Sequence, residues 1–562
     1  MRTIAIAIVG ICTLSLVGCS NFLTEQNKSN STADAYYSST AGYQSLINAC
    51  YSTLRDVYGG NTNGVINGNV EMFSAGTDLF EVGRGNLTST NNGLGNYLNL
   101  TPADGVVANF YTTVYKSIKR CNDAIHYSTG QSATSLAEVR FLRAFYYFQL
   151  VQQFGDVALV TDYLNKPISD YPRTPAKDVY SFIISEMESV LPTLPATSAP
   201  GRVNQRVVNH YLALVYLTRG YDTTLGGSAS DFTKAISYAT AAINNQGLTL
   251  DYEKGVFWPG QDNNSEVIFS VQYSAASLAT TTSGNAQASY FGAYLGGSDG
   301  QIGDGMPYEN TILEPTARLY TLLSQDPNDK RFAATFMQQV NGTGTPASNK
   351  ISFYSYFKST PAITNVMYYY PKPGATQADV DAWVAADPTN RTNAVVVWPG
   401  TGGITWQNST LDKSFPCIKK FSDPSSSANF STTSSTRNIF LARLAETYLI
   451  RAEAEINAND PTDAANDINV VRARAGAAPI TASQATIDYV LDERARELAG
   501  EYHRWEDLKR TGRLTTYVPL YNPDVTNASY MKGNDGNYKI LRPIPQSAIA
   551  LNGVTVTQNP GY

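Results

Sequence analysis

Between Ser135 and Phe154 a helical spacing places Phe141, Leu142, Phe145, Phe148 and Val151 on one stripe, which Tyr146, Tyr147 and Leu150 widen. A helix apolar over most of its circumference must be wrapped by other elements, so it belongs at the centre of a helical assembly. Gly155 follows directly and is placed to end it. Arg140 and Arg143 lie on the same helix. Guanidinium groups enter such surroundings only when carboxylates neutralise them, so both arginines predict buried or half-buried ion pairs.

The wrapping helices can be read from spacing. Gly42–Tyr58 carries Tyr43, Leu46, Ile47, Cys50 and Leu54 in helical register, and Val106–Tyr127 is strongly apolar. Val208, Tyr211, Leu212 and Val215 follow i, i+3, i+4, i+7, and after the loop Gly220–Ser230 the set Phe232, Ile236, Ala239, Ile243 does the same. Leu441, Leu444, Ala445, Tyr448, Leu449 and Ala452 predict a further helix. Its partner carries Ala464, Ile468, Val471 and Ala475 behind Asp460-Pro461, an N-cap with proline at the first helical position. Small residues at facing positions let antiparallel helices pack closely, so these pairs read as tetratricopeptide-like hairpins, although the Gly220–Ser230 loop is longer than usual for that repeat.

Two stretches break this pattern. Gly59–Asn99 is dense in turn formers. Asp251–Thr436 alternates apolar residues at Val267, Phe269, Val271 and Tyr273 and again at Ile351 and Phe353, with a short apolar run at Ala394–Trp398, all among Gly-, Asn- and Pro-rich loops. Leu191–Pro200 and Ser422–Thr436 read as linkers or surface loops. The fold class is therefore mainly α: tetratricopeptide-like helical repeats with an irregular insertion of short β-strands.

The N-terminus supplies an address. Arg2 precedes an uncharged apolar core, Ile4–Val17, of signal-peptide length, ending in Leu16-Val17-Gly18-Cys19. That ending resembles a bacterial lipobox, which makes residues 1–18 a lipoprotein signal peptide and Cys19 the lipidation site. Three acyl chains on one residue anchor a chain firmly without a transmembrane helix. Ser20, rather than Asp, follows the cysteine, which fits the outer membrane. Residues 19–40 then read as a polar, flexible lipidated tether.

Composition narrows the partners. Charged residues make up 16% of the chain and the formal net charge is −6, with no basic run of five, which argues against nucleic acid and anionic lipid surfaces. Ser, Thr, Asn, Gly and 37 Tyr replace charge, a hydrogen-bonding, aromatic surface suited to sugar or peptide. Cys50, Cys121 and Cys417 remain once Cys12 and Cys19 are set aside; an odd number without metal spacing predicts buried free thiols.

At this point the chain resembles the SusD/RagB family of outer-membrane nutrient-binding lipoproteins, nearly end to end. The resemblance rests on Phe22-Leu23 behind the lipid cysteine and on Arg140–Phe148 running into Phe154-Gly155-Asp156-Val157. It rests further on Leu444–Ala454, on Glu493–Leu498 with Glu501–Arg510, and on Pro543–Gln546 with Gln558–Tyr562. Ala158 stands where the family usually has proline, and Gly500-Glu501-Tyr502 replaces its usual Phe-Glu-Gly. The resemblance implies a helical region over 41–250 and a SusD/RagB region over 251–562. Within the latter, 251–436 would carry ligand-binding loops and strands, and 437–562 the closing helices. It also implies a SusC-like TonB-dependent β-barrel transporter as partner, a surface-exposed place on the outer membrane of a Gram-negative bacterium, and binding of an oligosaccharide or peptide without catalysis.

Residue by residue, the chemistry-bearing signals are few. Glu497 and Glu501 share a helical face, as a paired-carboxylate site might require, yet Arg494, Arg496, Arg504 and Lys509 are interleaved, which favours a structural ion-pair network. His126, His210 and His503 are far apart in sequence, and no HExxH, Walker or Rossmann motif occurs. No catalytic residue, cofactor or metal site is assigned; Asp326–Lys330 could offer oxygens to Ca²⁺, but Pro327 and Lys330 favour a polar turn. Sugar rings stack on aromatic side chains with planar polar partners close by. That chemistry selects Asp78, Arg84, Asn86, Asn96 and Tyr97 in one region, Tyr290, Phe291 and Tyr294 in a second, and Trp398 and Trp406 in a third. Two other classes stay open: a surface glycan- or peptide-degrading enzyme, and an adhesin.

Overall fold

The computed structural model describes residues 33–62, 65–83, 93–166, 168–276, 283–292, 301–302, 312–343, 352–354, 364–399, 416–423 and 434–562. The signal peptide, Cys19, Arg84, Asn86, Tyr294 and Trp406 lie outside the described residues.

The chain opens with a short helix, α1 (Ala33–Tyr37), and continues through α2 (Thr40–Tyr58), α3 (Gly105–His126), α4 (Ala133–Phe154) and α5 (Ala176–Val190). In α4 every residue from Phe141 to Phe154 is buried. Ser132 caps its first turn and Gly155, at φ +69°, ends it. The wrapping predicted for α4 is supplied by α3 on one side and α5 on the other. At the centre, Phe141, Phe145 and Tyr211 close on Phe269 with ring centroids 6.1–6.3 Å apart.

Arg140 and Arg143 both reach Glu186 of α5, at 2.6 and 2.8 Å, and Arg143 also donates to Asn122 and the Thr161 carbonyl. The paired helices follow as α6 (Gln205–Gly220) with α7 (Ala229–Ile243), and later α8 (Leu444–Asn457) with α9 (Pro461–Ala475). The two hairpins stack, α7 against α8, as repeats must when none can bury its apolar face alone. Asp460 accepts from the Asp463 amide, the cap its sequence announces. After them come α10 (Ile487–Leu498) and α11 (Arg504–Arg510).

Two expectations need correction. Leu441 is not helical: it sits in β12 (Ile439–Arg443), which pairs antiparallel with β4 (Val267–Val271), so α8 begins only at Leu444. The proposed tether is folded at its end, because α1 packs on the end of α3 through the Tyr127 hydroxyl, which donates to Asp34, and through the Tyr37 and Tyr127 rings. Leu191–Pro200 is a mostly exposed loop, as read; it contains a 3-10 turn at Leu191–Thr193 and is tied down by Gln205, which donates to the Pro195 and Leu194 carbonyls. Cys50, Cys121 and Cys417 are buried, and among the described residues none is in a disulfide, as read.

The irregular regions form small sheets. β1 (Gly60–Thr62) pairs with β2 (Val65–Ile66) and β5 (Ser283–Asn285), and β3 (Phe80–Val82) pairs antiparallel with β7 (Leu313–Pro315). A five-stranded sheet has the order β11 (Val395–Val396), β10 (Val366–Tyr369), β8 (Gln339–Thr343), β9 (Ser352–Tyr354), β6 (Gln301–Ile302).

Candidate functional site

The charged run of α10 and α11 is assembled first, because it decides whether its carboxylates are free for chemistry. Glu497 meets Arg443 at 2.5 Å, Arg331 at 3.1 Å and also Arg474. Glu493 meets Arg331, Arg472 and Arg496 at 2.8–3.0 Å, and Glu501 meets Arg443 and Lys420 at 2.6 and 2.9 Å. Burial pushes the Glu493 carboxyl up, but Arg331, Arg496 and Arg472 outweigh it and lower it to about 2. Glu497 and Glu501 are likewise held below the ordinary carboxylate range. These groups stay ionised and paired, an ion-pair core as the interleaved charges imply.

The structure brings two of the separated histidines together. His210 and His503 both approach Glu446 at 3.4 Å, in the interior. His126 instead stacks on Tyr163, centroids 4.0 Å apart. Asp326 accepts from the Asn328 and Ala478 amides and Asp329 is held by Arg331, so that segment is a pinned turn. Among the described residues no group of three or more His, Cys, Asp and Glu is arranged to hold a metal, and no helix is long and apolar enough to cross a membrane.

Four of the aromatic and polar residues selected from sequence are foundation rather than contact surface. Asp78 is fully buried: Arg504 grips it at 2.7 and 2.6 Å, and Arg318 at 2.9 Å. Tyr97 donates to the Gly76 carbonyl and accepts from Trp505. The Tyr290 hydroxyl accepts from the Gly68 amide, and Phe291 packs on Phe80 and Phe421. A ligand cannot reach these side chains, so all four are withdrawn from the contacting set. Asn96 is half-buried and accepts from the Asn99 amide. Trp398 is 38% exposed just beyond β11.

The withdrawn residues nonetheless define a place. β3 leads into segment 84–92, and β7 follows segment 303–311. The two are locked side by side, the Gly83 amide donating to the Ile312 carbonyl at 2.7 Å. Phe291, at the end of the helix Gln287–Phe291 that leads toward segment 293–300, lies 4.8 Å from Phe80. Thus the first two sequence regions meet at their feet. The third region stands apart from them: β11 and β6, the strand between 293–300 and 303–311, form opposite edges of the five-stranded sheet.

Sequence reasoning missed the support beneath. Arg318 lies 3.8 Å from the Tyr521 ring and 4.8 Å from Tyr517 while it binds Asp78, and Asp524 accepts from the Val82 amide at 2.7 Å. Only Arg504, inside the charged run, carried a signal.

A stack of helical hairpins that spends its densest charge on itself and gathers irregular segments at one place is a scaffold for loops. Residues 265–562 match the family model described as SusD family, and residues 21–217 match one described as starch-binding associating with outer membrane. The chain belongs to the SusD family. SusD-like protein P2 of Formosa agariphila is 24% identical over 583 residues, 98% of each chain. Starch-binding protein SusD of Bacteroides thetaiotaomicron is 24% identical over 461 residues, 76% of this chain and 72% of that one. Surface glycan-binding protein A from Bacteroides thetaiotaomicron, solved with laminarihexaose, shares the fold with a TM-score of 0.66 at 20% identity, over 93% of this chain and 100% of that one.

Proposed function

We propose that this protein is a cell-surface lipoprotein of the outer membrane, anchored through Cys19, that captures an oligomeric glycan and delivers it to a SusC-like TonB-dependent barrel. The observation that supports this reading is the contact between the feet of the first two loop regions, Phe80 against Phe291 at 4.8 Å, beside Asp78 clamped by Arg504 and Arg318. A flexible oligosaccharide needs aromatic faces and planar hydrogen-bonding groups held at fixed separations. Arg84, Asn86, Asn96, Tyr294, Trp398 and Trp406 are the side chains assigned to that work. The relatives' names, starch-binding for one and laminarihexaose-bound for another, favour a neutral glucan over a peptide.

Calorimetry of the protein against laminarihexaose, maltohexaose and a set of peptides tests the reading. Binding to at least one glucan is expected, and Tyr294→Ala or Trp406→Ala should weaken it by roughly tenfold or more if a stacked ring is lost. Heat only with peptides, or release of cleaved products, overturns it. Purification from detergent-solubilised membranes without any barrel partner overturns the delivery step.

A further inference from the structure

A groove of about 410 Å³ lies on α3, where the stretch from Ala158 to Arg173 and the chain from Ile544 to Val556 form its other walls. Tyr111 and Tyr115, with rings 4.8 Å apart, make one wall, and Leu164, Ala548, Leu551 and Val556 make the rest mostly apolar. Leu551 is 80% exposed. Lys116 and Lys119 stand on the rim; Lys119 is paired with Asp123, whereas Lys116 makes no ion pair among the described residues. An apolar trough whose lining carries Lys116, Lys119 and Arg173 against a single carboxylate, Asp162, suits an apolar segment that carries a nearby carboxylate.

The described chain begins beside this trough. α1 is held on Tyr127, whose hydroxyl lies 3.3 Å from that of Tyr163, the residue before the groove-lining Leu164. Upstream of Ala33 the sequence from Ser20 to Thr32 contains one adjacent apolar pair, Phe22-Leu23, and one carboxylate, Glu25. Leu23 precedes Ala33 by ten positions, a reach of about 33 Å when extended. Tyr115 is twelve positions before Tyr127 on α3, about 18 Å along the helix. The pair can therefore reach the trough with chain to spare.

We propose that Phe22-Leu23 of this same chain docks in the groove, with Glu25 facing Lys116. The docked pair makes the effective tether the three positions from Cys19 to Phe22, about 10 Å, in place of the fourteen from Cys19 to Ala33. The lipid then leaves the molecule on the face formed by α3 and the chain after Ile544. That face lies toward the membrane, and the protein is held at a fixed tilt instead of swinging on a long leash.

Two measurements on the full lipidated chain in detergent test this. Amide exchange in residues 111–119 and 545–552 should rise about tenfold or more in a Phe22→Ser/Leu23→Ser variant, given the apolar area released. Exchange in α6 and α7 should not change, which separates the effect from general unfolding. Mild oxidation of a Leu23→Cys/Ala548→Cys variant should form an intrachain disulfide, while Leu23→Cys/Ser230→Cys should not. Equal groove exchange in the wild-type and Ser variants overturns the proposal, as does cross-linking only between chains, which assigns the groove to a second copy. Failure of Leu23→Cys/Ala548→Cys to cross-link overturns it as well.

Discussion

Arg443 shares Glu497 and Glu501 with Arg331, Arg474 and Lys420, so its loss strands buried carboxylates. Arg443→Met should cost about 3–5 kcal/mol, read as a lower midpoint in denaturant. Breaking the exposed Arg513–Asp488 pair should cost under about 1 kcal/mol. The same core sets an acid limit. Glu493 and Asp507 are each lowered to about 2 against the pull of burial, by Arg331 and its neighbours for one and by Arg494 and Arg510 for the other. Their stabilisation is complete above the ordinary carboxylate range and is lost as pH falls through about 2. Glu506 behaves oppositely: burial raises it to about 8, only partly offset by the hydrogen bond from Gln153. Its contribution is complete below the ordinary carboxylate range and is lost as pH rises through about 8. Glu506→Gln should therefore shrink the difference between denaturation midpoints measured at pH 5 and pH 8. The ion-pair role of this run was legible because acids and arginines alternate within it. The roles of Asp78, Tyr97, Tyr290 and Phe291 were not, because a ring or a carboxylate in a glycine-rich stretch reads alike whether it faces a ligand or the core.

Elements with a chemical stop or start were legible to within a few residues: α4 ending at Gly155, α9 starting at Asp460-Pro461. α5 has no counterpart in the sequence reading, although Val179, Tyr180, Ile183, Ile184, Met187 and Val190 are all buried in it and Pro175 sits at its N-cap. Leu441 shows the limit of periodicity, since a buried strand feeding directly into a helix continues the apolar pattern without a break. Gly155 offers a test. A side chain there must adopt φ +69°, and its Cβ would fall 2.8 Å from a Leu541 methyl. Gly155→Ala should cost roughly 1–2 kcal/mol from the backbone alone, seen as a lower melting temperature. Asp460→Ala, which removes one cap bond, should cost about 1 kcal/mol.

Across the whole molecule, family and architecture were readable from order: the paired helices and the charged run follow in one sequence behind an N-terminus that resembles a lipobox. The proposed binding face was not, because the regions assigned to it are hundreds of residues apart and their feet meet only after folding, as Phe80 and Phe291 do. A further long-range join ties residues 541–562 to the end of α4. Arg542 donates its amide to the Gln153 carbonyl, Asn559 donates to the Phe154 and Arg542 carbonyls, and Arg173 donates to Asn559. Asn559→Ala breaks all three Asn559 bonds and should cost about 1–3 kcal/mol, measured by thermal melting. That join also fixes an order of events during synthesis. The ribosome releases α4 early, yet the last residues that cover its end emerge nearly four hundred positions later. Until then a helix buried at every position from Phe141 to Phe154 has an open end, so a nascent chain has reason to be shielded by a chaperone for most of its translation, and a stop codon in the final twenty residues would leave that end uncovered for good.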